Sequence, residues 1–559
     1  MKSDTHSAAT EAIAVLRANG VDRVFGNPGT TELPLLDATV ATGMPFHTCL
    51  HECVATGMAD GYGRATGTVG VAMVHTSVGT ANTMVNLINA RADRSPLLVI
   101  AGEKDSRLSG RGSFGEVPDL ASLTRQITKE AWRTHLPEKV PELIYRGLKV
   151  ARAPMPGPVF LAVPESCSAG ELPADVRGAF TFPAPTIRTR PHPQELREVL
   201  QAVIGAKRPL IIAGNEIGAQ RAASQLAQLV DYLGVPVVCE EPFAITGINF
   251  PNNHLLYHGP FNTGLGVVRD ADLVVAIGAR AFLEYTFPTE PYIREGVRFI
   301  QIGADIGEFG KIYPAERTLL CSVDLALDEM CMLAKEGLVP EPQALAQRRA
   351  RAAHGEQRVA PHAPRLPPLA SAKHTPRLSD LIDALHEVLP TDGVIVDQSV
   401  LSKGPLHRRF PLCGDRLYFG TSGGGLGWGV GAAMGVQLGL PTRRVAAYLG
   451  DGATLYSIQG LWTAAHMKLP VVFIVVNNGG YMAVRKGLGE FGGSSVQQGV
   501  YPGCWIAEPA IDFCSIARGF GVKAASVSRR DGLVDALRQA FDTEGPILLE
   551  VSVCPDDYL

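Results

Sequence analysis

The sequence lacks several features that would place the protein in a specialised structural class. Its ten cysteines include no Cys-x-x-Cys pair, so neither a disulfide framework nor a zinc site is indicated. No apolar run approaches the length of a membrane span, about 18 residues, and the first residues contain no apolar signal-peptide core. A net charge of −4 provides no basic excess for nucleic acid or an anionic membrane surface. These absences predict a cytoplasmic globular protein with reduced thiols.

The composition that is present describes a large globular chain of several domains. With 559 residues, the chain is too long for a single hydrophobic core and suits about three domains. Helix and strand signals alternate throughout, which predicts an α/β fold. We expect a first domain over residues 1–180 and a middle domain over 191–340. A Pro- and Arg-rich linker over 341–377 then leads to a third domain over 378–559.

Two polar clusters follow neighbouring buried strands in the third domain. Residues 445–449 and 471–476 are continuous apolar runs, typical of a parallel sheet covered on both faces. Gly450-Asp451-Gly452 follows the first run, and Asn478 and Gly480 follow the second. The carboxyl ends of neighbouring parallel strands are where open α/β sheets bind ligands. Glycines that admit phosphate, together with carboxylate, amide and carbonyl oxygens, therefore predict a diphosphate site with Mg²⁺.

This arrangement resembles the signature of the thiamine diphosphate (ThDP) enzymes, in which Gly-Asp-Gly is followed at a similar interval by Asn-Asn. The resemblance implies three domains, each with a doubly wound parallel sheet. The first binds the pyrimidine, the second is a middle domain, and the third binds the diphosphate. It assigns Mg²⁺ to Asp451, Asn478 and the Gly480 carbonyl. Leu426 matches the aliphatic residue that keeps the cofactor bent, although it could be an ordinary packed leucine. The remaining candidates for cofactor contact are Gln398, Ser399, Gly424, Gly450, Gly452, Ala453, Thr454, Tyr481 and Met482.

Glu52 is the candidate for activating the cofactor. ThDP chemistry needs a carboxyl group at N1′ of the aminopyrimidine, so that the cofactor's own imino group can remove the C2 proton. A lone glutamate in the first turn of a helix is usually solvated. Here, however, the stretch from Glu52 to Tyr62 resembles the family's activating helix, E-x-x-A-x-x-x-A-D-G-Y. The resemblance therefore assigns Glu52 to N1′.

Two further loops resemble those of the benzoylformate decarboxylases within this family. Residues 27–34 are similar to N-P-G-S-N-E-L-P, and residues 74–82 are similar to L-H-S-A-A-G-T-G-N. Thr30 then takes the place of a serine that binds the substrate carboxylate, with a simple turn hydroxyl as the alternative. His75 takes the place of a proton-transferring histidine, with an ordinary strand-end histidine as the alternative.

The sequence also departs from these decarboxylases. Tyr285 stands where they have a second active-site histidine, and a phenol is a poor proton shuttle at neutral pH. Gly420 and Gly487 fall where they have phenylalanines. We expect the two missing rings to leave room for a larger or more polar substrate, which argues against benzoylformate itself.

A second resemblance, to the acetolactate synthases, covers the stretch from Phe114 to Lys129. These enzymes join the bound fragment to a second carbonyl compound. Their usual glycine after Pro-Gly is Thr30 here, and their flavin segment after Gly-Ala-Arg is replaced by residues 282–285. This difference argues against FAD, while Arg280 leaves a nucleotide diphosphate open.

Three hypotheses for function follow, all on the same cofactor. The first is decarboxylation of a 2-oxo acid to an aldehyde through an enamine, with His75 or Tyr285 as the proton relay. The second is a carboligase, in which the same enamine attacks an aldehyde, ketone or 2-oxo acid acceptor. The third is a non-catalytic ThDP-binding subunit, whose expected mark is the loss of Glu52 or Asp451. The resemblance also implies a homodimer or homotetramer with active sites at the subunit interface.

Overall fold

A computed structural model gives the fold for residues 7–241, 243–280, 282–283, 288, 290–354 and 375–558. The described residues form three six-stranded sheets in which all strand pairs are parallel. Helices connect the strands, so the expected α/β class with three doubly wound parallel sheets is confirmed. Among the described residues, no helix is both long enough and apolar enough to cross a membrane.

The first sheet has the strand order β2-β1-β3-β4-β6-β5. Its strands are β1 (Val24–Asn27), β2 (Phe46–Thr48), β3 (Gly70–His75), β4 (Leu97–Glu103), β5 (Glu130–Arg133) and β6 (Pro158–Pro164). Its helices are α1 (Ala8–Ala18), α2 (Leu33–Thr42), α3 (Glu52–Thr66), α4 (Thr76–Ala92), α5 (Lys139–Arg152) and α6 (Glu165–Ser168). The central strands β3, β4 and β6 are almost wholly buried because helices cover both faces.

The middle sheet has the order β12-β11-β10-β7-β8-β9. Its strands are β7 (Pro209–Ala213), β8 (Val237–Cys239), β9 (Tyr257–Pro260), β10 (Leu273–Ile277), β11 (Arg298–Gly303) and β12 (Arg317–Leu320). The associated helices are α7 (Pro193–Gly205), α8 (Asn215–Ala219), α9 (Ala223–Leu233), α10 (Gly266–Arg269), α11 (Val323–Lys335) and α12 (Pro342–His354).

The third sheet has the order β14-β13-β15-β16-β18-β17. Its strands are β13 (Val394–Gln398), β14 (Leu417–Gly420), β15 (Val445–Gly450), β16 (Val471–Asn477), β17 (Lys523–Val527) and β18 (Ile547–Ser552). Its helices are α13 (Leu378–Val388), α14 (Lys403–Arg409), α15 (Trp428–Gly439), α16 (Asp451–Leu455), α17 (Gly460–His466), α18 (Met482–Phe491), α19 (Ser494–Gln498), α20 (Phe513–Gly519) and α21 (Leu533–Asp542).

The segment expected as an exposed connector begins with helix α12, which packs on the middle domain. Arg348 is buried, and its guanidinium donates to four backbone carbonyls, those of Val203, Ile204, Ala206 and Leu233. These bonds satisfy the guanidinium without a carboxylate, so an Arg-rich helix can be buried here. Residues 355–374 of the expected linker lie outside the described residues.

Helices α3 and α15 join the first and third sheets through closely spaced glycines. A Cβ at Gly57 would lie 3.0 Å from the Trp428 carbonyl oxygen, and one at Gly61 would lie 2.3 Å from that of Ala432. The Trp428 indole also donates to the buried Asp60 carboxylate at 2.6 Å. Successive residues of one helix meet successive residues of the other, so the two helices run parallel. Their N-termini, which carry Glu52 and the loop before Trp428, therefore lie at the same end of the interface.

Candidate active site

Each sheet reverses its strand order at one point, where parallel sheets open a crevice for ligands. In the first sheet the reversal lies between β1 and β3, and in the third between β13 and β15. The selected residues that the structure describes lie at or after the carboxyl ends of strands in these two sheets. The parallel register therefore gathers the candidates in each domain at one sheet edge.

Glu52 is the first residue of α3, and its carboxyl group is held by two amides. Asn27, at the end of β1, donates to Oε1 at 3.1 Å, and Asn82, on α4, donates to Oε2 at 2.9 Å. The residue is 5% exposed, so it is not the solvated first-turn glutamate that is the usual alternative. Both carboxylate oxygens have fixed directions, and the group is ready to hydrogen-bond a ring nitrogen.

His75 is the last residue of β3, and its ring contacts residues that follow β1. Its Nδ1 lies 2.8 Å from the Thr31 hydroxyl and 3.3 Å from Oε2 of the fully buried Glu32. The Glu32 carboxylate also accepts from the Gly29 amide at 2.8 Å. Among the described residues, none hydrogen-bonds the ring's Nε2. A histidine fixed through one nitrogen, with the other free, can donate or accept a proton at a bound molecule.

A cavity of about 510 Å³ lies next to these loops. Thr76, Lys104, Phe114 and Gly115 line it. The Phe114 ring is 71% exposed and stacks on the His75 ring with 6.1 Å between centroids. The Lys104 ammonium donates to the Thr30 hydroxyl at 3.0 Å, so the predicted carboxylate-binding residue already contacts a cation. A cavity of this size suits a small-molecule ligand.

Asp451 begins α16 at the end of β15 and is almost fully buried. Its Oδ2 accepts from the backbone amides of Asn478, Gly479 and Gly480, and its Oδ1 accepts from that of Gly452 at 2.7 Å. Burial raises the pKa of this carboxyl group, and the four amide bonds partly oppose that rise. Among the described residues, no Lys, Arg or His forms an ion pair with Asp451, so its charge is left for a cation.

The oxygens around Asp451 fit Mg²⁺, and the loop fits a diphosphate. Oδ1 of Asp451, which accepts one protein hydrogen bond, retains a lone pair for a metal, and Asn478 Oδ1 and the Gly480 carbonyl supply neutral oxygens. A Cβ at Gly452 would lie 2.4 Å from the Tyr481 ring, so only glycine keeps this helix start open to phosphate. Among the described residues, no cluster of three His, Cys, Asp or Glu competes as a metal site.

Gln398 and Ser399 are engaged in protein hydrogen bonds rather than pointing freely into the crevice. Gln398 donates to the Gly425 carbonyl at 2.8 Å and accepts from the amides of Gly427 and Gly429. The Ser399 hydroxyl donates to Asp397 at 2.6 Å. Gln398 therefore shapes the loop on both sides of Leu426.

The loop before Leu426 is anchored by all three domains. Asp93 of the first domain accepts from the Ser422 amide at 2.8 Å, and Arg280 of the middle domain donates to the Ser422 hydroxyl at 2.9 Å. Lys403 of the third domain is buried and donates to the Thr421 carbonyl. These bonds hold the loop that leads to Leu426 in a fixed position beside the crevice.

The other predicted cofactor residues lie around the same helix start. The Thr454 hydroxyl donates to the Gly450 carbonyl at 2.8 Å, and Ala453 is buried beside it. Met482, the first residue of α18, is buried, and the Tyr481 amide donates to the Cys504 carbonyl. At Gly424, with a φ of +78°, no atom lies within 4 Å of an added Cβ, so its surroundings are open.

The expectation that missing rings widen the pocket fails at one position. A Cβ at Gly420 would meet the Tyr418 hydroxyl at 2.9 Å and the Ile245 carbonyl at 3.0 Å, so no space is opened there. Gly420 instead belongs to the domain junction, where Arg64 binds its carbonyl. Around Gly487, by contrast, no atom lies within 4 Å of an added Cβ. Tyr285, the proposed second proton relay, lies outside the described residues.

Several side chains of the site were not assigned from the sequence. They are Asn27 and Asn82 on Glu52, Glu32 beside His75, Lys104 on Thr30, and Tyr558 near Asn478. The loop match already included Asn27, Glu32 and Asn82, so a polar residue in a matched loop was the available signal. Lys104 and Tyr558 gave no comparable signal.

Comparison with known proteins finds one enzyme family in all three parts of the chain. Models of the thiamine pyrophosphate enzymes match as the N-terminal TPP binding domain over residues 7–123, the central domain over 196–330 and the C-terminal TPP binding domain over 406–551. Thiamine pyrophosphate is another name for ThDP. The three matched ranges each contain strands of a different sheet.

Individual relatives align along nearly their full length. Benzoylformate decarboxylase of Pseudomonas aeruginosa is 29% identical over an alignment of 557 residues that covers 98% of each chain. The acetolactate synthase isozyme 3 large subunit of Escherichia coli is 26% identical over 96% of this chain and 92% of its own. The solved ThDP-dependent 4-hydroxybenzoylformate decarboxylase of Rhodococcus jostii superposes with a TM-score of 0.85 at 27% identity, covering 98% of this chain and 99% of its own.

Proposed function

Because the chain belongs to the thiamine pyrophosphate enzyme family, we propose that it removes carbon dioxide from a 2-oxo acid without oxidation and releases an aldehyde. Enzymes of this decarboxylase and synthase family act on 2-oxo acids. Bound ThDP would supply a nucleophilic carbon together with a cationic ring that accepts the electrons of the broken carbon–carbon bond. The observation that carries the proposal is Glu52, buried and held by Asn27 and Asn82 at the crevice of the first sheet.

The side chains of this chain take three roles in the proposal. Glu52 hydrogen-bonds the pyrimidine ring at N1′. Asp451, Asn478 and the Gly480 carbonyl hold Mg²⁺, and the helix start at Gly452 holds the diphosphate. His75 donates the proton that completes the aldehyde, because Thr31 and Glu32 fix its Nδ1 while its Nε2 stays free.

Carboligation is a second candidate, in which a second carbonyl compound replaces the proton. The cavity of about 510 Å³ beside His75 favours it, because this volume can hold an acceptor. The likeness to an acetolactate synthase subunit is consistent with it. Product analysis with and without added aldehydes separates an aldehyde product from a hydroxyketone.

The test of the assignment is Glu52→Gln. We expect C2 proton exchange of the cofactor to slow by at least about 100-fold, the usual scale of a lost acid–base group, while ThDP still binds. Hydrogen–deuterium exchange followed by NMR measures the rate, and mass spectrometry identifies the products from a panel of 2-oxo acids. Glu165→Gln is the matched control, because Glu165 also begins a helix of the first domain. Unchanged exchange in Glu52→Gln would contradict the role of Glu52.

A further inference from the structure

Lys104 is the one lysine that lines the cavity beside His75, and its charge has no carboxylate partner in the described part of the chain. It follows β4 directly, so it lies at the same sheet edge as the loops after β1 and β3. Its single hydrogen-bond partner among those residues is the neutral Thr30 hydroxyl. An ammonium group has three donors, so Lys104 can still bind an anion.

Every other Lys, Arg, Asp or Glu side chain that lines this cavity, except Glu116, forms an ion pair. Arg133 pairs with Glu103 at 2.6 Å, Arg125 pairs with Asp119 at 3.2 Å, and Asp105 pairs with Arg107. The Glu116 carboxylate accepts from the amides of Gly110 and Ser113. Among the described residues of the lining, Lys104 is therefore the one cation without an ion-pair partner, and Glu116 is the one carboxylate without an ion-pair partner.

The carboxylate that leaves as carbon dioxide is a poor partner for this cation. A lysine bound to that group would stabilise the charged substrate more than a transition state in which the charge is being lost, and it would slow the reaction. A cation beside the site therefore suits an anionic group that persists through the reaction. Such a group must lie elsewhere on the substrate.

The positions of Thr30 and Thr31 limit how far away that group can be. Lys104 binds Thr30 and His75 binds Thr31, and these adjacent residues have Cα atoms about 3.8 Å apart. We propose, on the basis of the function proposed above, that Lys104 selects 2-oxo acids with a second carboxylate a few carbons from the keto group. Lys104 then determines specificity and contacts the substrate tail.

The test compares charged and neutral tails of equal length. For the wild type we expect kcat/KM for 2-oxoglutarate to exceed that for 2-oxopentanoate by at least about tenfold, the scale of one hydrogen bond to a charged group. Lys104→Met should remove this preference mainly through KM, and Lys104→Arg should largely retain it. Lys139→Met is the control, because Lys139 pairs with Glu142 on α5. An equal preference in the wild type and in Lys104→Met would overturn the proposal.

A binding measurement separates this inference from the proposed reaction. Calorimetric titration of the ThDP- and Mg²⁺-loaded protein with glutarate and pentanoate requires no turnover. We expect glutarate to bind at least about tenfold more tightly than pentanoate, and Lys104→Met to abolish the difference. If no 2-oxo acid is turned over but this difference is found, the proposed reaction fails and the role of Lys104 stands. If glutarate and pentanoate bind equally to the wild type, the role of Lys104 fails.

Discussion

Asp451 shows how a single side chain is prepared for a cation. Four backbone amides hold its carboxylate in place, and burial raises its pKa. A proton and a divalent metal compete for the same oxygens, and the metal requires the deprotonated form. Because the pKa is raised, this competition begins at a higher pH than for an exposed aspartate.

We expect the apparent Mg²⁺ affinity to fall as the pH is lowered toward the raised pKa of Asp451. Mg²⁺ titrations that follow retained ThDP by circular dichroism, repeated over a pH series, measure this. Asn478→Ala should weaken Mg²⁺ by about tenfold or more but keep the pH dependence, because the carboxylate remains. Asp512→Asn is the control, since Asp512 is an exposed aspartate that caps helix α20. A pH-independent affinity in the wild type would contradict the assignment.

At the residue scale, the sequence identifies groups with distinctive chemistry more readily than the groups that hold them. Glu52 and Asp451 were predicted because each begins a helix after a strand within a specific motif. The hydrogen bond from Asn82 to Glu52 joins residues 30 positions apart, and it depends on how α3 and α4 pack. The ammonium of Lys104 meets Thr30 across 74 positions, through the pairing of strands β1, β3 and β4. Such contacts are properties of the tertiary structure.

At the element scale, the contact between α3 and α15 determines how the two halves of the site meet. The glycines along both helices let the backbones approach, and this brings the N-terminus that carries Glu52 beside the loop that carries Leu426. Cys53 contacts the Gly427 carbonyl at 3.6 Å, which places these two starts in direct contact. An added methyl group in this contact must separate the helices.

We therefore expect Gly61→Ala to destabilise the protein by about 1–3 kcal/mol and to lower its affinity for ThDP. An added Cβ would lie 2.3 Å from the Ala432 carbonyl oxygen, and this overlap outweighs the gain in helix propensity, roughly 1 kcal/mol. Gly519→Ala, at the open end of α20, is the control and should be neutral or slightly stabilising. Thermal unfolding and ThDP titration measure both effects. Equal changes in stability and ThDP affinity for the two variants would contradict the close contact between α3 and α15.

Strands buried on both faces were predictable to within a few residues, whereas the edge strands β5 and β17 were missed. The apolar runs at residues 445–449 and 471–476 predicted β15 and β16, because helices cover both faces of those strands. The edge strands β5 and β17 are partly exposed and carry mixed residues, so periodicity does not distinguish them from loops. Helix α12 was missed because its arginines suggest a solvated segment, although Arg348 is buried against backbone carbonyls.

At the scale of the whole molecule, the middle domain is bound to the first domain at the crevice of its own sheet, where doubly wound sheets bind ligands. Its strand order reverses between β7 and β10, and Glu216 lies at that crevice. Arg94, from the turn after α4, binds Glu216 at 3.2 Å and also binds Asp305. A buried carboxylate at this position disfavours a diphosphate. The expected homodimer or homotetramer, with active sites between subunits, stays a prediction.

The same junction predicts how stability depends on pH. Burial raises the pKa of Glu216 to about 7, from 4.5, although Arg94 opposes the shift. The folded state therefore holds a proton that the unfolded state has lost, so this group's contribution is complete below pH 4.5 and is lost as the pH rises toward 7. The loss amounts to at most roughly 1.4 kcal/mol per pH unit.

The substitution Glu216→Gln removes this titration. It can also change the stability at every pH, so the informative quantity is how its difference from the wild type varies with pH. We expect its Tm, relative to that of the wild type, to rise between pH 5 and 7.5, as measured by calorimetry at a series of pH values. Glu195→Gln, an exposed change on α7, should show a constant difference, and a constant difference for Glu216→Gln would refute the linkage.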